Sequence, residues 1–229
     1  MSNRDNAAHR LALLNAEIAP CQRCVVAGHL VHANPIAGAR GRATDRIMLI
    51  GQAPGRLSVE RALPFGGPGG VVLDQWLTRA GFPANFLRTG IYLTALTRCF
   101  PGKHPTGKGD RAPSPPEIAL CRPWLDAEFA IVNPAIVLLV GSLAIRAFCG
   151  GGPLERSVGT LQTRDNRLWL PLPHPSGVSR WLNVPSNQRL LTQALELLSD
   201  WREAQVVMPS TSDTMTSDTM TSDTMTRKE

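Results

Sequence analysis

The chain has 229 residues, of which 43% are hydrophobic, and its formal net charge is +6. This length and apolar content supply a full core, which excludes a disulfide-dependent mini-protein and a chain that is disordered throughout. No run approaches the roughly 18 apolar residues that span a bilayer, and the N-terminus lacks the apolar core of a secretory signal, so we expect a soluble cytoplasmic protein with no membrane partner.

Short apolar runs alternate with amphipathic stretches along the chain, which is typical of a parallel sheet flanked by helices. The predicted strands are 46–51, 90–94, 135–140 and 168–172, and the predicted helices are 7–18, 71–80, 115–132, 142–149 and 186–204. The helix 115–132 has the best start signal, because Ser114 and Glu117 form a capping box around two prolines. These elements predict the α/β class, as a three-layer α/β/α sandwich with a four-stranded, mostly parallel sheet.

The C-terminal segment differs in composition from the rest of the chain. The pentamer TSDTM occurs three times in succession in residues 211–225, without an apolar period. We therefore predict one folded domain over residues 1–205 and a disordered, low-complexity tail over residues 206–229. Residues 204–229 hold four acids and two bases, so about +8 of charge remains on the folded part.

The basic side chains are 21 Arg and only 3 Lys. Arginine suits bidentate contact with phosphate, which favours a nucleic-acid partner, although a high genomic GC content would produce the same bias. The loop 99–121 concentrates basic residues and is predicted either to follow a phosphate backbone or to be an ordinary solvated loop. Those residues are Lys103, His104, Lys108 and Arg111.

Five cysteines, an odd number, favour a metal site or free thiols over a disulfide framework in a cytosolic chain. Cys21 and Cys24 form a C-x2-C pair, and Cys99 and Cys121 follow singly. From spacing alone, four such ligands suit either zinc or an iron–sulfur cluster. Cys149 lies at a predicted helix end and is interpreted as a small core residue.

Three loops hold further candidate residues, and the first and third of them directly follow predicted strands, at the edge where open α/β sheets bind ligands. The first runs from Gly51 to Gly55, with Gln52 offering a hydrogen-bond donor and an acceptor. The second holds Phe65 in a glycine-rich segment that opens a helix, where an aromatic ring is able to stack on a flat base. The third fixes His174 between two prolines, an arrangement that suits either a catalytic group or a structural histidine.

With these loops aligned, residues 21–201 resemble the uracil-DNA glycosylase superfamily, particularly its iron–sulfur branches, family 4 and family 5. Gly51–Gly55 matches the first family motif, Pro64-Phe65-Gly66 the uracil-stacking segment, and His174-Pro-Ser176 the second motif. The four cysteines occur in the order of the family's cluster ligands. The resemblance implies a 4Fe-4S cluster held by Cys21, Cys24, Cys99 and Cys121.

The resemblance also implies a hydrolytic, monofunctional glycosylase that removes uracil, or other deaminated bases, from DNA. His174 would donate a hydrogen bond to the uracil O2 and stabilise the departing base anion. Phe65 would stack on the flipped-out base, and the backbone near Gln52 and Ala53 would hold the attacking water. The remaining substrate contacts are assigned to Gly51, Gly55, Ser176 and Arg180, with Arg180 on phosphate and Trp181 and Leu182 as wedges. The protein is expected to be a monomer.

Two residues depart from the family 4 pattern. Ala95 stands where family 4 has the asparagine that reads the uracil edge, so we expect weaker discrimination between bases. Gln52 replaces a glutamate, and the nearest carboxylate in the sequence is Glu60. Without a general base we expect a slow enzyme. A non-catalytic binder of damaged DNA and an unrelated small-molecule hydrolase remain open as alternatives.

Overall fold

The computed structural model describes residues 2–37, 41–107, 109–176 and 180–207. The predicted tail therefore lies outside the described residues, apart from the last two residues of the C-terminal helix. In chain order the strands are β1 Ile47–Gly51, β2 Ile91–Ala95, β3 Ile136–Val140, β4 Gln162–Arg164 and β5 Arg167–Leu172.

The eight α-helices among the described residues are α1 Asn3–Ile18, α2 Arg23–Val26, α3 Arg56–Glu60, α4 Pro68–Arg79, α5 Phe86–Thr89, α6 Pro115–Val132, α7 Ser142–Cys149 and α8 Pro185–Val207. Short 3-10 helices cover Leu154–Arg156 and Arg180–Asn183. The five longer α-helices were all predicted. Helix α1 begins four residues earlier than expected, because Ser2 and Asp5 form a capping box that the apolar pattern does not report. None of the helices in the described ranges is long and apolar enough to cross a membrane.

The sheet has the strand order β2-β1-β3-β5-β4. The first four strands in that order are mutually parallel, and β4 pairs antiparallel with β5 at the edge. The α/β prediction and the four parallel strands are confirmed, but the sheet has five strands and not four. Strand β4 was missed because Gln, Thr and Arg make up its three residues and no apolar alternation marks it.

The core lies on the two central strands. Every residue of β1 and β3 is buried, which is typical of parallel strands covered on both faces. Helix α6 packs against β2 and contacts α1, while α8 packs against β5 and contacts α4. Helices therefore cover the sheet in a three-layer α/β/α arrangement.

Strand β1 is the point at which the chain changes direction across the sheet, since β2 lies on one side of it and β3 on the other. In open parallel sheets the crevice outside the carboxyl ends of the strands at such a point receives ligands. The fold therefore directs attention to the loops that follow β1, β2, β3 and β5.

Candidate active site

A pocket of about 580 Å³ opens at the carboxyl edge of the sheet. Each of the four parallel strands contributes to its wall, through Gln52 after β1, Ala95 at the end of β2, Ser142 after β3 and His174 after β5. The predicted site residues that line this pocket are Gln52, Ala53, Gly55, Phe65, Ala95, His174 and Ser176. Loops far apart in sequence thus form one site.

Gly51 has no side chain, and this leaves space for the ring of Phe65 in the pocket. It is the last residue of β1, and a Cβ at this position would lie 2.8 Å from Cζ of Phe65. Any side chain here would push the ring off the strand end. Gly51 also pairs in register with Ala95 on β2, so the two small residues lie side by side beneath the pocket.

The backbone around Phe65 is held by groups that the sequence pattern did not single out. Phe65 has a left-handed φ of 52°, a conformation that costs a non-glycine residue on the order of 1 kcal/mol. The Arg88 guanidinium stabilises this conformation by donating to the carbonyls of Pro64 and Phe65, at 2.6 and 2.8 Å. The Ser58 hydroxyl accepts a hydrogen bond from the N–H of Gly66 at 3.1 Å. Phe65 is therefore a fixed wall of the pocket.

The hydrogen bonds of His174 define its tautomer. The backbone N–H of Ser176 donates to Nδ1 of His174 at 3.2 Å, and the Ser176 hydroxyl lies 2.8 Å from the same nitrogen. Because Nδ1 accepts, a neutral imidazole carries its proton on Nε2. Burial lowers the pKa of His174, which favours the neutral ring. A Cβ at Gly141 would lie 3.2 Å from Cδ2 of His174, so this glycine leaves room for the ring.

A buried ion pair supports the floor of the pocket. Arg98 donates to the Ala95 carbonyl at 3.0 Å and to Glu128 on α6, and the Thr94 hydroxyl donates to the same carboxylate at 2.7 Å. The side chain of Glu128 is 0% exposed and that of Arg98 6%. Burial raises the pKa of Glu128, and the interactions with Arg98 and Thr94 oppose that rise.

The four predicted ligand cysteines line a second, separate pocket, between α2, the segment after β2 and α6. Burial and the proximity of the other thiols raise the pKa of Cys24 and of Cys99 to about 11. The backbone N–H of Arg98 donates to Sγ of Cys121 at 3.2 Å. The four thiols therefore lie together in one pocket, with Cys121 the buried member.

Within the described ranges, no group of three or more His, Cys, Asp or Glu side chains is placed to hold a metal ion. The four cysteines nevertheless line one pocket, and four cysteines are a ligand set that both structural zinc sites and iron–sulfur clusters use. Cys149 lies outside this pocket, half-buried against the core, and accepts from Arg164 at 3.5 Å.

The predicted DNA-contacting residues lie in two regions. Arg180 is exposed in the second 3-10 helix and does not line the pocket, while residues 177–179 lie outside the described part. Trp181 and Leu182 pack against the core, and the Trp181 indole donates to Glu155 at 2.6 Å. Their role as wedges stays a prediction, because in this conformation both side chains are engaged with the protein.

The loop 99–121 has fewer unengaged cations than its sequence indicates. Arg111 donates two hydrogen bonds to Glu117, at 2.6 and 2.8 Å. Burial alone would raise the pKa of Glu117, but the hydrogen bonds from Arg111 and Ser114 outweigh it and lower that pKa to about 2. Arg111 is thus held by an internal partner, His104 contacts Thr106, and Lys108 lies outside the described residues.

The chain is thus an α/β protein with one pocket at the switch point of its sheet, lined by a histidine and an aromatic ring, and a second pocket that holds four cysteines. The profile of the uracil DNA glycosylase superfamily matches residues 39–199, and the chain belongs to that superfamily. Cys21 and Cys24 precede the matched range, so the family assignment does not depend on them.

Individual relatives agree with the family assignment. The Type-4 uracil-DNA glycosylase of Thermotoga maritima is 27% identical over 177 residues, which cover 74% of this chain and 83% of that protein. The Type-4 enzyme of Pyrobaculum aerophilum is 27% identical over 60% of this chain and 63% of its own. The Type-5 uracil-DNA glycosylase of Thermus thermophilus is 32% identical over 55% of this chain and 58% of its own. The last two alignments thus span somewhat less than two thirds of those relatives.

Proposed function

We propose that this protein is a monofunctional DNA glycosylase that hydrolyses the N-glycosidic bond of uracil in DNA and so starts base excision repair. The observation that carries the proposal is that His174, whose Nδ1 accepts from the Ser176 N–H so that Nε2 is left to donate, lies in the same pocket as the ring of Phe65. The names of the Type-4 and Type-5 relatives support this function. Other deaminated bases are further candidate substrates.

The chemistry assigns a task to each side of the pocket. Cleavage leaves an electron pair on the departing base, and a hydrogen bond from Nε2 of His174 to the uracil O2 would stabilise that charge. Stacking on Phe65 would hold the flipped-out base, whose extrusion from the duplex costs a few kcal/mol. The backbone at Gln52 and Ala53 would border the sugar and hold the attacking water.

DNA containing uracil or another deaminated base is the proposed partner, and the charge of +6 on the chain supports a polyanion. Arg180, which is exposed, is proposed to contact phosphate. We also propose that the protein acts as a monomer in the cytoplasm, at the nucleoid.

The direct test is incubation of the purified protein with oligonucleotides that carry uracil, hypoxanthine or xanthine, as single and as double strands. We expect an abasic site in the uracil substrates.

A second candidate function is a non-catalytic binder of damaged DNA. Gln52 and Ala95 favour it, because Gln52 lacks the carboxylate and Ala95 lacks the amide that family 4 has at these two positions. Retained affinity for uracil-DNA without product after long incubation would establish the binder and contradict the enzyme.

We further propose that Cys21, Cys24, Cys99 and Cys121 hold a 4Fe-4S cluster. The shared pocket supports this assignment, because it brings together four cysteines from three separate segments of the chain. When bound, the cluster would cross-link three segments of the chain and so have a structural role. Because Cys99 and Cys121 flank the loop 99–121, the ligands would also fix the position of that loop beside the active site.

The cluster assignment predicts the effect of removing one ligand. Protein purified without oxygen is expected to be brown, with broad absorption near about 400 nm. We expect Cys121→Ser to lose most of this absorption and of the bound iron, measured by optical spectroscopy and iron analysis. The matched control is Cys149→Ser, which removes a thiol outside the pocket and should retain both. A colourless preparation with stoichiometric zinc would contradict the cluster.

The small residue at position 95 predicts a broad substrate range that one substitution narrows. Asn at this position would offer an amide donor and an acceptor to the base edge, so Ala95→Asn is expected to raise the ratio of uracil to hypoxanthine release by about 10-fold. Rates on the two substrates measure this ratio. Ala95→Leu, of similar size without an amide, separates hydrogen bonding from bulk, and an equal change in both variants would contradict the interpretation.

A further inference from the structure

The proposed reaction needs a negative group that the first motif does not supply. As the glycosidic bond breaks, positive charge develops on the sugar, and a water must be oriented toward it. Gln52 is uncharged. Glu60, the nearest carboxylate in sequence, is exposed, pairs with Arg56 and does not line the pocket.

The structure brings in a carboxylate from a distant loop. Among the described residues that line the pocket, Asp110 is the single acidic one. Its Oδ2 accepts a hydrogen bond from the backbone N–H of Arg56 at 3.3 Å, and a Cβ at Gly55 would lie 3.0 Å from that oxygen. Asp110 therefore lies directly against the motif that contains Gln52, although 54 positions separate it from Arg56.

The backbone on which Asp110 sits is fixed by pairing within its loop. Asp110 forms an antiparallel bridge with Lys103. On either side of that bridge, the N–H of His104 donates to the Gly109 carbonyl at 3.0 Å, and the N–H of Arg111 donates to the Gly102 carbonyl at 2.9 Å. Asp110 therefore belongs to a short backbone segment, residues 109–111, that is paired with residues 102–104, and its carboxylate lies against Gly55.

We propose that Asp110 is a catalytic carboxylate of this enzyme, which orients the attacking water and stabilises the positive charge on the sugar. This inference rests on the proposed glycosylase function. The bond between C1′ and the base nitrogen breaks, and its electron pair leaves with the base, whose O2 accepts from His174. The water oxygen bonds to C1′, its released proton passes to Asp110 and then to solvent, and the departed base takes up a proton from solvent.

The position of Asp110 also suits a purely structural role, as a cap for the first turn of α3. The two roles differ in what an amide can replace. Asparagine caps a helix about as well as aspartate does, but it carries no negative charge and accepts no proton. Asp110→Asn therefore retains the cap and removes the proposed catalysis.

The test is a single-turnover assay of uracil release, with DNA affinity and thermal stability measured in parallel. We expect Asp110→Asn to reduce the single-turnover rate by about 10-fold or more, since general-base catalysis contributes typically 10² to 10⁴-fold and this carboxylate is exposed before DNA binds. DNA affinity should stay within about threefold, and the melting temperature should be unchanged. The matched control is Glu60→Gln, which removes a nearby negative charge outside the pocket and should keep the wild-type rate.

The possible results separate the role of Asp110 from the glycosylase function. A rate for Asp110→Asn within about fivefold of the wild-type, or a loss matched by Glu60→Gln, overturns the role of Asp110 and leaves the glycosylase function in place. A loss of rate that is accompanied by a lowered melting temperature assigns Asp110 to the structural role and likewise overturns the proposal. Absence of product with the wild-type protein contradicts the glycosylase function itself.

Discussion

Replacing His174 by alanine is expected to reduce the single-turnover rate of uracil release by about 10²-fold or more. The reason is electrostatic: the hydrogen bond from Nε2 strengthens as negative charge develops on the base, so its loss affects the transition state more than the bound substrate. DNA affinity, measured by fluorescence anisotropy, should change much less than the rate. Equal rates for the variant and the wild-type would contradict the assigned role.

A second variant tests which group of Ser176 sets the tautomer of His174. Ser176→Ala removes the hydroxyl near Nδ1 but leaves the backbone N–H of residue 176, which alone requires Nδ1 to accept. We therefore expect this variant to lose no more than about 10-fold in rate, well short of His174→Ala. A loss as large as that of His174→Ala would show that the hydroxyl, and not the backbone, orients the ring.

The pH dependence follows from the direction of the His174 shift. Burial lowers the pKa of His174, so the ring stays neutral to a lower pH than an exposed histidine does. Between this lowered pKa and the ordinary histidine pKa, the folded state binds fewer protons than the unfolded state. The contribution of His174 to the free energy of unfolding is therefore fully present above the ordinary pKa, and it is lost as the pH falls toward the lowered one.

The elements that the sequence predicted are those with a strong local signal. The apolar runs at β1 and β3 are buried on both faces, and the capping box at Ser114 defines the start of α6. Strand β4 has no such signal, because Arg167–Leu172 on the neighbouring strand determines where its three polar residues pair. Local patterns therefore predict the core elements well and the edge strand poorly.

The same distinction holds for the site. Phe65 and His174 were predicted as site residues because each lies in a loop with an unusual local sequence, and both line the pocket. Arg88 and Asp110 lie in ordinary stretches, and only the folded chain brings them to Phe65 and Gly55. Their functional contacts are to backbone groups, which any residue type provides, so no motif marks the partner. Local sequence patterns therefore indicate the loops that line the pocket, but not the residues that hold those loops in place.

The two pockets share a connection through Arg98. Its backbone N–H contacts Cys121, while its guanidinium contacts the Ala95 carbonyl at the end of β2 and Glu128 on α6. Arg98 lines both pockets. The floor of the active site and one wall of the cysteine pocket thus meet at Arg98, the floor through its guanidinium and the cysteine pocket through its backbone N–H. Removing the guanidinium should therefore destabilise the end of β2 and its contact with α6.

We accordingly expect Arg98→Met to lower the free energy of unfolding by about 3–5 kcal/mol at neutral pH, because it leaves Glu128 buried without its cation. Methionine is similar in length to the aliphatic part of arginine, so the variant keeps most of the packing contacts. Chemical denaturation followed by circular dichroism measures the loss. The matched control is Arg122→Met on the same helix as Glu128, since its ion pair with Asp126 is about half exposed and should be worth at most about 1 kcal/mol.

The pH dependence of the Arg98→Met deficit separates a charge effect from a packing effect. Burial already raises the pKa of Glu128, and without Arg98 to oppose it the pKa rises further. When folding raises the pKa of a carboxyl group, that group contributes most to the free energy of unfolding at low pH. The contribution is lost as the pH rises through the pKa that the group has in the folded state. The deficit of the variant should therefore shrink when denaturation is repeated at about pH 5.5 instead of about pH 8. A deficit that is the same at both pH values would assign the loss to packing and contradict the role of Arg98 as the partner of Glu128.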